Sequence, residues 1–250
     1  MLGHWEQIET AEVGRFPTSR RFDELRTVKL VNVVGGIYPT FKELHCPKLE
    51  EVVLCHNVSR DISEMFSDAQ LDQLTVLKRL GIIVSNMELL ANMKVLYVRV
   101  AETVTEAFFL PASVTELGVW LTCGVDGIPP QLKVFEYQDV VTVDGAPYEV
   151  AVASQSLERM VVNRAHDVTI ECPHLTSLSV KWVAELGGLV APKLETLEAT
   201  KTLIALEGLP RLEHVVMRGN GPEDGSHEQR VVVSHRLKSV TIEHMVLLEV

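Results

Sequence analysis

Pro173-His174-Leu175-Thr176-Ser177-Leu178-Ser179-Val180 decides the fold, because the phrase Pro-x-Leu-x-x-Leu-x-Val recurs along the chain. Clear copies begin at Pro47, Pro192 and Pro210, with Leu49, Leu194 and Leu212 as their anchors. Weaker copies are anchored at Leu25, Leu77, Met93, Val114, Leu132, Leu157 and Leu237. The eleven anchors lie 16 to 28 residues apart, about 21 on average. Self-similarity at such a period marks a repeat architecture, in which one copy alone cannot bury its apolar face.

In Leu-x-x-Leu-x-Val the last three positions alternate, as a strand with one buried face should. Proline lacks an amide donor and belongs where a strand begins or the chain bends. Five of the eleven prolines, Pro47, Pro130, Pro173, Pro192 and Pro210, stand two residues before an anchor. Stacked copies would pair these strands in parallel and pile the inward Leu and Val into a continuous spine. Steps of 18 or 19 residues leave no room for a crossover helix of two turns or more. The segments before the proline alternate too, as in Val150-Ala151-Val152, Val168-Thr169-Ile170, Ile204-Ala205-Leu206 and Val231-Val232-Val233. A second short strand is therefore expected on the opposite side of each turn. The expected fold is a repeat solenoid, mostly β, of about eleven turns with a parallel sheet and little helix.

The phrase resembles the core of leucine-rich repeat proteins, Leu-x-x-Leu-x-Leu-x-x-Asn. It is complete at Leu49 to Asn57, with Val52 for a Leu, and at Leu212 to Asn220, with Val215 and Met217 substituting. Leu110-Pro111-Ala112-Ser113-Val114-Thr115-Glu116-Leu117 is similar to short repeats of protist and bacterial surface or effector proteins. The resemblance covers about Leu25 to Ile242, and implies an irregular leucine-rich-repeat-like coil without naming a ligand.

Composition agrees with stacked layers. Val and Leu number 37 and 31 of 250 residues, while aromatics are only 6%. The net charge of −11 opposes non-specific binding to nucleic acid or an anionic membrane, so neither is expected as a partner. The first residues, Met1-Leu2-Gly3-His4-Trp5-Glu6, have no basic start followed by an apolar run, and no stretch reaches 18 apolar residues. A cytoplasmic location is the expectation. Cys46, Cys55, Cys123 and Cys172 are scattered in a chain too large to need staples, and are expected to be reduced and buried.

The chain reads as one domain, 1–250. Residues 1–24 form an N-terminal cap, 25–243 the repeats, and 244–250 a last strand or exposed edge open to self-association. Between Leu49 and Leu77, Asp61-Ile62-Ser63-Glu64 matches a capping box, and Ile62, Met65 and Phe66 share a helical face. Residues 219–230 form the longest polar loop.

Catalytic signatures are missing: there is no Gly-x-Gly-x-x-Gly, phosphate-binding loop, Gly-x-Ser-x-Gly or His-Glu-x-x-His. His45-Cys46 and Cys55-His56 are separated by a whole strand, too far apart to share a zinc ion. No enzyme activity, metal or cofactor is expected. The alternation instead picks out side chains facing away from the spine. In the middle copies these include Arg79, Tyr97, Arg99, Trp120, Glu136, Arg159 and Lys181. Tyr, Trp and Arg are enriched at interface hot spots, and this strip is more basic than the chain as a whole. The expected function is a non-catalytic protein–protein interaction scaffold. The alternatives are a self-assembling structural protein, or the substrate-recognition subunit of a larger complex such as a ubiquitin ligase.

Overall fold

A turn repeated at most copies leads into the strand. The anchor's backbone N–H donates to the carbonyl three residues back: Leu49 to Cys46 at 3.3 Å, Met93 to Leu90 at 3.0 Å, Leu175 to Cys172 at 3.0 Å and Leu212 to Leu209 at 3.2 Å. Pro47, Pro173, Pro192 and Pro210 stand second in such turns, where a fixed φ near −65° is favoured. This is the physical reason for the recurring Pro-x-Leu. The computed structural model describes residues 9–13, 21–30, 40–54, 60–78, 82–84, 90–100, 111–121, 128–139, 149–202, 208–219 and 237–243. The chain divides into two compact units, Met1–Trp120 and Leu121–Val250.

Among the described residues, the first unit holds β1 (Thr10–Val13), β2 (Thr27–Leu30), β3 (Glu51–Leu54), β4 (Arg60–Asp61), β5 (Val76–Lys78), β6 (Ile82–Val84), β7 (Val95–Val100) and β8 (Glu116–Leu121). Strands β1, β2, β3, β5, β7 and β8 pair in that order, every pair parallel. Strand β4 pairs with β6, and β6 with the far end of β7. Part of the expected N-terminal cap is thus itself a strand, β1, in register with β2.

Register corrects one anchor. Leu77 is opposite Val52 and Leu96, the second apolar position of its copy. The anchor is therefore Leu74, fully buried like Leu49 and Met93. Three leucines spaced by three, Leu74, Leu77 and Leu80, satisfy Leu-x-x-Leu twice, and only the neighbouring strands select the right pair.

The expected insertion helix is present and short. In α1 (Ile62–Met65), Asp61 caps the first turn by accepting the Ser63 N–H at 2.8 Å. A second helix, α2 (Asp68–Leu71), follows. Buried Gln70 in α2 donates to the carbonyls of Phe41 and Leu44 at 2.8 and 3.3 Å, joining the insertion to the preceding 3-10 turn, Phe41–Glu43. Phe41 and Phe66 stack with ring centroids 4.8 Å apart.

The second unit holds β9 (Val134–Asp139), β10 (Val150–Ala153), β11 (Arg159–Glu171), β12 (Ser177–Val190), β13 (Thr196–Thr200), β14 (His214–Arg218) and β15 (Ser239–Glu243). Strands β9, β11, β12, β13, β14 and β15 pair in that order, again all parallel. Strand β10 pairs with the end of β11, so Val150–Val152 lies against Val168–Ile170 as an opposite-side strand. That strand is not separate. β11 and β12 run on through a corner, where Arg164 and Trp182 take φ of 62° and 53°. Lys201, at the same distance from its anchor, has φ 52°. Beyond the corner a bulge lets Asp167 pair with Glu185 and Thr169 with Gly188, and the Asp167 carboxylate fills the space beside Gly187. Residues 204–206 and 231–233 lie outside the described residues.

At the entry to each of several strands, the ladder to the previous layer begins at one shared acceptor. The carbonyl after an anchor receives the two backbone N–H groups that follow the next anchor. Glu158 accepts from Thr176 and Ser177 at 2.9 and 3.2 Å, and Glu195 from Glu213 and His214 at 2.9 Å each. Arg26 receives Glu50 and Glu51 in the same way in the first unit. Inward side chains such as Val28, Leu96, Val162, Leu197 and Val215 are completely buried. Full burial of a side chain of this size contributes roughly 1.5–3 kcal/mol.

Candidate protein interface

In the first unit the side chains pointing away from the spine include Lys78, Tyr97, Glu116 and Trp120, with Gly118 at an outward position between the last two. Tyr97 stands beside Gly118, and its ring occupies the space a Cβ there would need. The Tyr97 hydroxyl donates to Glu116 at 2.7 Å, and Lys78 Nζ lies 3.6 Å from the same carboxylate. Arg99 is in register with Trp120, which is half-buried.

In the second unit Arg159 lies 3.8 Å from Glu136, and Lys181 lies 3.8 Å from Glu198. Ser179 donates to Glu198 at 3.2 Å. Arg218 bridges two carboxylates, bonding Glu198 and, at 2.9 Å, Glu243. These groups are partly exposed, and each such pair contributes about 0–1 kcal/mol in water.

Of the seven side chains picked from sequence, Tyr97, Arg99 and Trp120 belong to the first unit and Glu136, Arg159 and Lys181 to the second. Arg79 lies outside the described residues, and with the anchor at Leu74 the outward place in its copy belongs to Lys78. Lys78, Arg159, Lys181 and Arg218 each meet a carboxylate, so at these positions the face is charge-paired. The loop at 220–230, residues 244–250, and Cys55, His56, Asn57, Cys123 and Asn220 also lie outside the described residues.

Sequence reasoning missed Trp182. It stands at the corner, 45% exposed, with the Arg164 guanidinium carbon 5.3 Å and Lys201 Nζ 5.8 Å from its ring centroid. The three residues hold one position, seven beyond the anchors Leu157, Leu175 and Leu194. A run of Arg, Trp and Lys at that position was the signal, one residue beyond the outward alternation. Immediately after it, Ala165, Val183 and Thr202 turn inward and are buried. Thr202 Oγ1 accepts the Val183 N–H at 3.1 Å and donates to the Thr200 carbonyl at 3.1 Å.

Cys46 and Cys172 are free thiols buried at the first position of their turns. Burial pushes the Cys46 thiol up to about 11 and also raises that of Cys172. Among the described residues no three His, Cys, Asp or Glu side chains gather as metal ligands. No described helix is long and apolar enough to cross a membrane. No family model, curated protein or solved structure matches this chain.

Proposed function

We propose that the chain is a non-catalytic protein-binding module of leucine-rich-repeat-like construction, acting in the cytoplasm through the outward face of its parallel strands. One observation carries this reading. A parallel sheet is ordinarily covered on both faces. Here inward residues such as Leu96, Val162 and Val215 are fully buried, whereas on the other face Tyr97 and Trp120 are half-buried in the first unit, and in the second Arg159, Thr196 and His214 are exposed and Val161 half-buried. Among the described residues no helix or second sheet covers that face. In either unit, an open strand face carrying aromatic or charged side chains suits a folded or extended protein partner. A substrate-recognition role in a larger assembly such as a ubiquitin ligase is a special case of the same reading.

The test is capture of partners from the native organism's lysate by the wild-type chain, by Ser179→Arg and Thr196→Arg on the open face, and by Thr169→Arg on the opposite strand segment. A partner retained by wild type and Thr169→Arg but lost from the two face variants is the expected result. Equal capture by all four baits would remove the face from consideration.

Self-association is the second reading, favoured by Val240. It is in register with fully buried Val215, yet is itself 42% exposed. Light scattering across a hundredfold range of concentration separates the two readings, since mass that grows with concentration belongs to assembly.

A further inference from the structure

Arg164, Trp182 and Lys201 form a three-layer stack at the corner of the second unit. All three are exposed, and all three hold a left-handed backbone that residues other than glycine adopt at a cost. Among the described residues neither Arg164 nor Lys201 has a carboxylate partner, unlike Arg159, Lys181 and Arg218 on the sheet. An arginine stacked on an aromatic ring keeps its in-plane N–H donors available. The stack therefore presents two ready cations on either side of an exposed indole.

We propose that this corner binds an acidic segment of a partner protein, with two Asp or Glu residues three positions apart. The spacing follows from geometry. Arg164 and Lys201 are two strand layers apart, about 10 Å at the usual inter-strand distance. A polyproline II segment rises about 3.1 Å per residue and repeats its facing side every third residue, so residues i and i+3 point the same way about 9 Å apart. Their carboxylates reach Arg164 and Lys201 while the intervening backbone crosses the Trp182 edge. A short acidic segment is favoured over nucleic acid or membrane because the chain carries a net charge of −11. A polyphosphate surface would meet that repulsion along its whole length. The inference rests on the reading of the chain as a protein-binding module, but uses the corner and not the open sheet face.

The test is a random 12-residue peptide display library panned on the immobilised full chain, with enriched peptides labelled and titrated by fluorescence polarisation. Enriched sequences should share an acidic pair at i and i+3, and Gln in place of either acid should weaken binding at least tenfold. Arg164→Gly and Lys201→Asn should each do the same with a melting temperature no lower than that of the wild type, because Gly and Asn accept a left-handed backbone. The Gln peptides read the same contact without touching the fold. Enriched peptides without the acidic pair, or undiminished binding to both variants, would overturn the proposal. So would tighter binding of a single-stranded oligonucleotide or phosphatidylserine vesicles through the same residues. Loss of the corner result, with Ser179→Arg still abolishing partner capture, sinks this inference and leaves the module reading standing.

Discussion

The ring of Tyr97 fills the place where Gly118 has no side chain, so that two neighbouring strands share one side chain's worth of space. The contact explains a glycine in the middle of a strand, where it otherwise weakens the element. Gly118→Ala sets a methyl group against the ring and should cost about 1–3 kcal/mol in urea unfolding, the usual range for overpacking. In Tyr97→Ala the same methyl has room, so the double variant should lose clearly less than the sum of the two single changes. Additive losses would show that the ring does not lie there.

Thr202 supplies the acceptor for the buried Val183 amide at the corner. Thr202→Val keeps the shape and removes that oxygen, leaving a buried N–H without its partner at a cost of about 1–3 kcal/mol. Thr202→Ser keeps the oxygen and should recover most of the loss. Equilibrium unfolding of the three proteins decides it.

Gln70 holds the insertion by donating to two carbonyls. Gln70→Leu should destabilise by about 1–3 kcal/mol, because the Leu44 carbonyl loses its Gln70 donor and the Ser67 N–H its Gln70 acceptor, while the Phe41 carbonyl still accepts from Leu44. Gln70→Glu faces the same carbonyls with a carboxylate, whose pKa burial raises in the folded state. Its folded form is therefore favoured at acid pH, where the group is protonated in both states. The advantage is lost as pH rises through the unfolded value and on to the folded one. Melting temperature relative to wild type should fall with rising pH for Gln70→Glu and stay level for Gln70→Leu.

Cys46 has a thiol raised by burial to about 11, from an ordinary value near 9. Below pH 9 the thiol is protonated in both states and folding is undisturbed. Between 9 and 11 the unfolded chain loses the proton first, so stability falls across that window. The difference between wild type and Cys46→Ala should therefore shrink as pH rises from 9 to 11, measured by urea unfolding at each pH. A difference constant with pH would mean that Cys46 is solvated.

The repeat was legible because inward Leu and Val at fixed intervals are a one-dimensional record of a stacked spine. Leu49, Leu175, Leu194 and Leu212 mark their turns without ambiguity, since a proline precedes each by two residues. Leu77 misled because Leu74, Leu77 and Leu80 offer two equivalent phrases, and the choice is made by pairing with Val52. The corner left no such record. Arg164, Trp182 and Lys201 adopt a backbone that glycine or asparagine would normally announce, and only stacking against neighbouring layers shows why they are there. Gly118 signalled a close approach, but naming Tyr97 as the approaching group needed the strand register.

The shared carbonyl between layers has a consequence for how such a chain changes over generations. These particular bonds are made of main chain alone, so they recur from layer to layer under different side chains. In a segment running from one anchor to the next, such as 175–193, the donors Thr176 and Ser177 and the acceptor Thr176 match those of its neighbours. Gain or loss of a whole layer therefore leaves this main-chain junction intact, whereas a change of length inside a layer must be absorbed between its anchor turn and the next.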